Sequence, residues 1–162
     1  MALIFVDCEA WGGCPATGQL TEFGAVRSEH SFYHGIIVPS IPNPENPAIP
    51  LKPRAKPDFI REVNVAQGFM EWLNKDKSRP VFVSDNPAFD WQWINDLFHR
   101  TMGMNPVGHS ARRISDYYAG LTNNWSNTQK WKRLRRTKHT HHPVDDALGN
   151  LEAWQRIQQG ER

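Results

Sequence analysis

The sequence predicts an α/β fold, a mixed five-stranded sheet flanked by helices. Three observations carry that expectation. The chain opens on a short apolar strand run, Leu3-Ile4-Phe5-Val6. Two more β-like runs follow it directly. After residue 58, segments of helical period alternate with short apolar strands, the pattern of a mixed sheet covered by helices. The 162 residues are enough for one domain with its own core, residues 1–162, and no internal repeat divides them. With 39% hydrophobic and 22% charged residues the composition is that of a globular chain, not a disordered one.

Each element has a local reason. Residues 10–20, rich in Gly, Pro and Thr, read as a loop after the first strand. Thr21–Arg27 and Ser31–Val38 read as two strands joined at Ser28–His30, a hairpin or meander. Residues 39–57 hold seven of the twelve prolines and are expected as an irregular extended crossover. Asp58 is a candidate cap for a helix reaching Asn74, with Val65, Phe69, Trp72 and Leu73 on its inner face. Pro80–Ser84 is a strand. Pro87 to Thr101 is a helix with Phe89, Trp93, Ile94, Leu97 and Phe98 inward and Gly103 as its stop. A weak strand at Arg112–Ile114 precedes a short helix from Ser115 to Leu121 that Asp116 is expected to cap. The last helix starts at Pro143 and runs to Gln158, with Val144, Leu148, Leu151 and Trp154 inward.

The net charge of +2 is modest, but Lys130, Lys132, Arg133, Arg135, Arg136 and Lys138 fall within nine residues that contain no acid. Such a stretch suits a polyphosphate partner or, failing that, is a solvated basic loop. No apolar run approaches the roughly 18 residues of a spanning helix and no leader pattern opens the chain, so a soluble, cytoplasmic protein with no membrane role is expected. Cys8 and Cys14 have too few companion ligands for a zinc knuckle and are expected as free thiols.

The chemistry begins at the end of the first strand. Asp7 and Glu9 lie two positions apart, hence on one pleated face. Two carboxylates held so close repel, and a hard divalent cation with oxygen ligands relieves the conflict. Two further acids arrive at helix starts, where the helix dipole favours negative charge: Asp90 in Asn86-Pro87-Ala88-Phe89-Asp90, and Asp146 in His141-His142-Pro143-Val144-Asp145-Asp146-Ala147.

In these motifs the chain resembles the DEDDh branch of the DnaQ-like 3′–5′ exonucleases, on the ribonuclease H-like fold. The resemblance covers nearly the whole chain. It rests on Asp-x-Glu, then Asn-x-x-Phe-Asp, then His-x4-Asp before Ala, in that order, with Glu22-Phe23-Gly24-Ala25-Val26 similar to the family's second strand. It implies that Asp7, Glu9, Asp90 and Asp146 bind two Mg²⁺ or Mn²⁺ ions and that His141 is the general base. A histidine titrating near neutrality suits that task. His-x4-Asp favours Asp146 over Asp145 and His141 over His142, and leaves His139 to the basic surface. Asp85 stands where the family more often has His or Tyr, and is expected as an outer residue or a cap. The family frequently follows its Glu with Thr, whereas this chain has Ala10-Trp11. Trp11 is therefore a candidate to stack on the 3′-terminal base, beside Asn86 and Phe89 as further substrate-side residues.

The implied partner is single-stranded nucleic acid with a free 3′ end. RNA is favoured over DNA on a looser likeness to small exoribonucleases of the RNase AS type, and a homodimer is expected on the same analogy. A DNA-directed proofreading or repair exonuclease is the alternative within the family. From other classes come a catalytically inactive nucleic-acid-binding module, which the basic stretch and tryptophans would serve, and a zinc hydrolase built on His139-Thr140-His141-His142. The zinc reading lacks any supporting His-rich motif.

Overall fold

The computed structural model describes residues 1–38 and 58–162. The proline-rich stretch 39–57, expected as an extended crossover, lies outside the described residues. Strands β1 (Ala2–Trp11), β2 (Gln19–Ser28), β3 (Ser31–Ile36), β4 (Pro80–Ser84) and β5 (Ala111–Arg113) form one sheet in the order β3-β2-β1-β4-β5. The β1–β2 and β2–β3 pairs are antiparallel; β1–β4 and β4–β5 are parallel. This is the mixed five-stranded sheet that the sequence predicts.

Helices α1 (Phe59–Asn74) and α2 (Pro87–Met102) cover one face, while α3 (Ile114–Leu121), a 3₁₀ turn (Lys130–Leu134) and α4 (Pro143–Gln158) cover the other. The pleat of β1 explains the division. Ile4, Val6 and Cys8 enter the first core with Phe69, Phe82, Ile94 and Phe98, whereas Phe5 enters the second with Trp131, Ala147 and Leu151. Asp7 and Glu9 continue the Phe5 face. Asp58 caps α1, its Oδ1 accepting the Ile60 N–H at 3.0 Å. Gly103 closes α2 in the left-handed region at φ 70°. The buried Glu62 carboxylate accepts two Arg100 N–H groups, at 2.7 and 3.1 Å, and ties α1 to α2.

Three local expectations are corrected. β1 does not stop before the loop but runs two residues past Glu9, because β2 pairs with it as far as Trp11↔Gln19. Asp116 does not cap α3: Arg113 occupies the cap position, and the Asp116 carboxylate pairs with Arg113 at 3.2 Å. In α4 the most buried apolar residues are Ala147, Ala153 and Ile157 beside Leu151, while Val144, Leu148 and Trp154 pack against the same core but stay only partly buried. The helix approaches the sheet closely, so small residues fill the contact face and large ones flank it.

Candidate active site

Three chain segments converge at the carboxyl end of β1 because the parallel β4 ends, and the close-packed α4 begins, beside it. β4 delivers Ser84 and Asp85, and the following turn starts α2 with Asp90 in its first turn. On the other face, α4 begins against β2. A Cβ added to Gly24 would lie 2.3 Å from the Pro143 carbonyl carbon and 2.4 Å from the Val144 nitrogen. Since Gly24 pairs with Asp7 across β1–β2, the absent side chain lets the α4 N-terminus, and with it Asp146, settle over the two β1 carboxylates.

The sequence-predicted acids are brought together. Asp7, Glu9 and Asp146 each offer an oxygen within 4.8 Å of one another, and so do Asp7, Asp85 and Asp90. Asp7 belongs to both groups. Asp90 is 3% exposed, accepts the Cys8 N–H at 3.0 Å and is gripped by the Ser84 hydroxyl. Asp146 is 1% exposed and accepts the Thr140 and His141 N–H groups at 3.1 and 3.0 Å. Asp145, by contrast, is half exposed and lies near Thr140 and His142 outside both acidic groups. The Cys8 thiol points into the opposite core, and both cysteines are free.

Burial and mutual repulsion tax the charged forms. The Glu9 carboxyl is pushed up to about 8 by burial and by the charges of Asp146, Glu22 and Asp90. That of Asp90 is pushed up to about 7, chiefly by burial and by Asp85, against the opposing help of Ser84. Asp7 is raised well above the carboxylate range by burial and then by Asp90, Asp146, Asp85 and Glu9. Clustered oxygens that resist ionisation together are a donor set fitted to hard divalent cations, which supply the missing positive charge.

His141 sits on the rim with a left-handed backbone, φ 59°, its Nδ1 3.6 Å from a Glu9 oxygen. Two carboxylates hold it at once, Asp146 through the backbone N–H and Glu9 beside the ring. His139 departs from its expected place on the basic surface: its Nδ1 is 2.8 Å from Asp146 Oδ2, and its ring stands edge-on to His141 at 4.3 Å. His139, His141 and Asp146 form a third group of closely spaced ligand atoms. Asp85 is not the α2 cap, a position that Asn86 occupies. It joins Asp7 and Asp90 on one side and pairs with Lys132, at 2.8 Å, on the other.

Of the substrate-side candidates, Asn86 occupies the α2 cap with its side chain exposed and making no capping bond. Phe89 packs partly into the first core, edge-on to Trp93 at 5.9 Å, so it holds the turn that carries Asp90. Trp11 ends β1 half-buried, paired with Gln19, beyond a bulge between Glu9 and Ala10. Sequence reasoning missed Ser84, Thr21 (whose hydroxyl donates to the Glu9 carbonyl at 2.8 Å) and the placement of Asp85 and His139. A Ser directly before Asp-Asn was the one available hint.

No protein-family model matches the chain. It is 34% identical over 95 residues to the 3′–5′ DNA exonuclease Cap18 of Escherichia coli, an alignment covering 56% of this chain and 51% of that protein. The chain thus spans about half the length of this curated relative. Among solved structures it is similar to the nuclease domain of 3′hExo, a DEDDh family member bound to rAMP, with a TM-score of 0.65, 11% identity and coverage of 98% and 92%. It is also similar to E. coli ExoI in a zinc-bound complex with single-stranded DNA, with a TM-score of 0.59, 16% identity and coverage of 97% and 39%. At such identities the solved structures speak for the fold, which is ribonuclease H-like. The chain is thus similar over part of its length to a 3′–5′ DNA exonuclease, and similar in fold to the nuclease domain of a DEDDh family member.

Proposed function

We propose that this chain is a divalent-metal-dependent 3′–5′ exonuclease domain, spanning residues 1–162, that removes 5′-mononucleotides from single-stranded nucleic acid. The observation that carries the reading is the double membership of Asp7: one acidic group joins it to Glu9 and Asp146, the other to Asp85 and Asp90. Two Mg²⁺ or Mn²⁺ ions would be held by Asp7, Glu9, Asp90 and Asp146. Bound there, such ions would lower the pKa of an attacking water and offset charge on the leaving 3′-oxygen.

The protein's own groups do the rest. The N–H bonds from Thr140 and His141 fix Asp146, and Ser84 and the Cys8 N–H fix Asp90, so both carboxylates are aimed before substrate arrives. With Nδ1 of His141 beside Glu9, Nε2 is the nitrogen that takes the proton of the attacking water. Asn86, exposed at the start of α2, and Trp11, at the end of β1, would contact the terminal nucleotide.

DNA is favoured as substrate by the name of the E. coli relative, and RNA by the looser likeness to small exoribonucleases; a homodimer rests on the same analogy. The test is degradation of matched single-stranded RNA and DNA oligonucleotides with free and blocked 3′ ends, in EDTA and with Mg²⁺, Mn²⁺ or Zn²⁺. Stepwise release of 5′-mononucleotides from free 3′ ends, only with a divalent ion, is expected. Zn²⁺ belongs in the series because His139, His141 and Asp146 form a nitrogen-bearing group. Oligonucleotide binding without hydrolysis under every ion would instead favour the inactive binding module.

A further inference from the structure

The basic stretch 130–138 is not a solvated arm. Trp131, fully buried, donates its indole N–H to the Ser115 hydroxyl and the Thr128 carbonyl, both at 3.0 Å, and Leu134 is buried beside it. These two anchors turn the residues between them outward. Farther on, the Glu152 carboxylate accepts the Arg136 and Thr137 N–H groups at 2.8 and 2.7 Å and clamps the chain to α4. The cations are therefore presented from a fixed backbone. Lys132, Arg133, Arg135, Arg136, Lys138 and His139 line a cleft of roughly 350 Å³.

The cleft has a direction. At one end His139 touches Asp146, and along its side Lys132 and Arg135 reach Asp85 at 2.8 and 3.6 Å. It thus opens onto the acidic cluster. Arg133, Arg136 and Lys138 are exposed, with Arg133 also donating to the Arg162 carbonyl oxygen at 2.5 Å.

We infer that this cleft is the track for the phosphodiester backbone of a single strand, gripping the nucleotides that lie 5′ of the end held at the acidic cluster. The inference rests on the exonuclease reading for the polarity of the strand. Cations carried on a fixed backbone pair with phosphates at a smaller ordering cost than cations on a mobile arm, and guanidinium groups can do so through two N–H bonds. The acids alone would repel a polyanion; a continuous basic track beside them offsets that repulsion and feeds the strand inward.

The experiment compares wild type with the Arg133→Ala/Arg136→Ala/Lys138→Ala variant. Affinity for a fluorescent single-stranded 20-mer and for a dinucleotide is measured in EDTA over a salt series. Hydrolysis of the p-nitrophenyl ester of thymidine 5′-phosphate, which carries no 5′ strand, is measured with Mn²⁺. Expected are about tenfold or greater weakening for the 20-mer and a salt slope shallower by roughly 0.7 for each lost contact. Dinucleotide affinity and ester hydrolysis should match wild type. An unchanged slope and 20-mer affinity would overturn the track. So would loss of binding to phosphatidylserine vesicles with the 20-mer unaffected, which assigns the cleft to a membrane surface. If wild type cleaves neither ester nor oligonucleotide while the variant still loses the 20-mer, the exonuclease reading fails and the nucleic-acid surface stands. Should the triple variant unfold, Arg136→Ala/Lys138→Ala gives the same readout with half of the slope change or more.

Discussion

Asp146 shows why two adjacent carboxylates differ so much in consequence. Asp145 and Asp146 both lie in the first turn of α4, yet one helix step turns Asp146 into a buried position where two backbone N–H groups and His139 meet it. Asp146→Ala is expected to abolish nuclease activity with a native circular dichroism spectrum, whereas Asp145→Ala should keep activity within a few-fold. Equal losses in the two would refute the assignment. The two rim histidines separate in the same way. His141→Ala should cut kcat by roughly two decades or more, the usual worth of a positioned base, with ion affinity preserved. His139 lies on the Asp146 oxygen instead, so His139→Ala should weaken ion affinity more than it lowers the ion-saturated kcat. A pH–rate profile and an ion titration on each variant check this pair.

At the scale of elements, the site depends on how closely α4 approaches β2. Gly24 is the point of contact, because any side chain there would overlap the backbone of Pro143 and Val144. Gly24→Ala should destabilise the protein by about 1–3 kcal/mol, the range for an overpacked interior, and also displace the α4 N-terminus from Asp7. Gly35→Ala is the matched control. Its Cβ would meet the Phe23 ring at 2.3 Å, on the face of the sheet that α1 and α2 cover and α4 does not. Both variants should lower the melting temperature, but Gly24→Ala alone should lose most of its activity at a temperature where it remains folded. Activity lost in proportion to stability in both would show that α4 placement is not what Gly24 secures.

For the whole molecule, the clustered acids set how stability varies with pH. In the ion-free fold the Glu9 carboxyl lies at about 8 and that of Asp90 at about 7, against ordinary values of 4.5 and 3.8 for an unfolded chain. Between these limits the folded state holds more protons than the unfolded one, so stability falls as pH rises. The melting temperature in EDTA should accordingly decline from pH 5 to pH 8. Mn²⁺, binding the deprotonated folded site, should raise it and flatten the decline. Asp7→Asn, which removes one charge from both acidic groups, should raise the melting temperature at pH 8 in EDTA and abolish the Mn²⁺ effect. A melting temperature that climbs with pH in EDTA would contradict the repulsion account. Among the described residues no helix is long and apolar enough to cross a membrane.

The sequence by itself determined the elements whose signals are local. Pro80–Ser84 and Pro143–Gln158 begin and end where proline, apolar run and periodicity put them, and the resemblance of their motifs to those of the DEDDh exonucleases implied that Asp7, Glu9, Asp90 and Asp146 act as one set. Residues defined by through-space neighbours were hidden. Asp85, His139, Ser84 and Thr21 look like ordinary polar residues until parallel pairing of β4 with β1, and the seating of α4 on Gly24, bring them to the end of the first strand. The basic stretch was legible as charge, but its rigidity was not, since that depends on Trp131 finding Ser115 and Glu152 finding two backbone amides. Local pattern fixes which side chains an element carries; only long-range packing decides which of them share a site, because distance in the fold is set by the sheet and not by the chain.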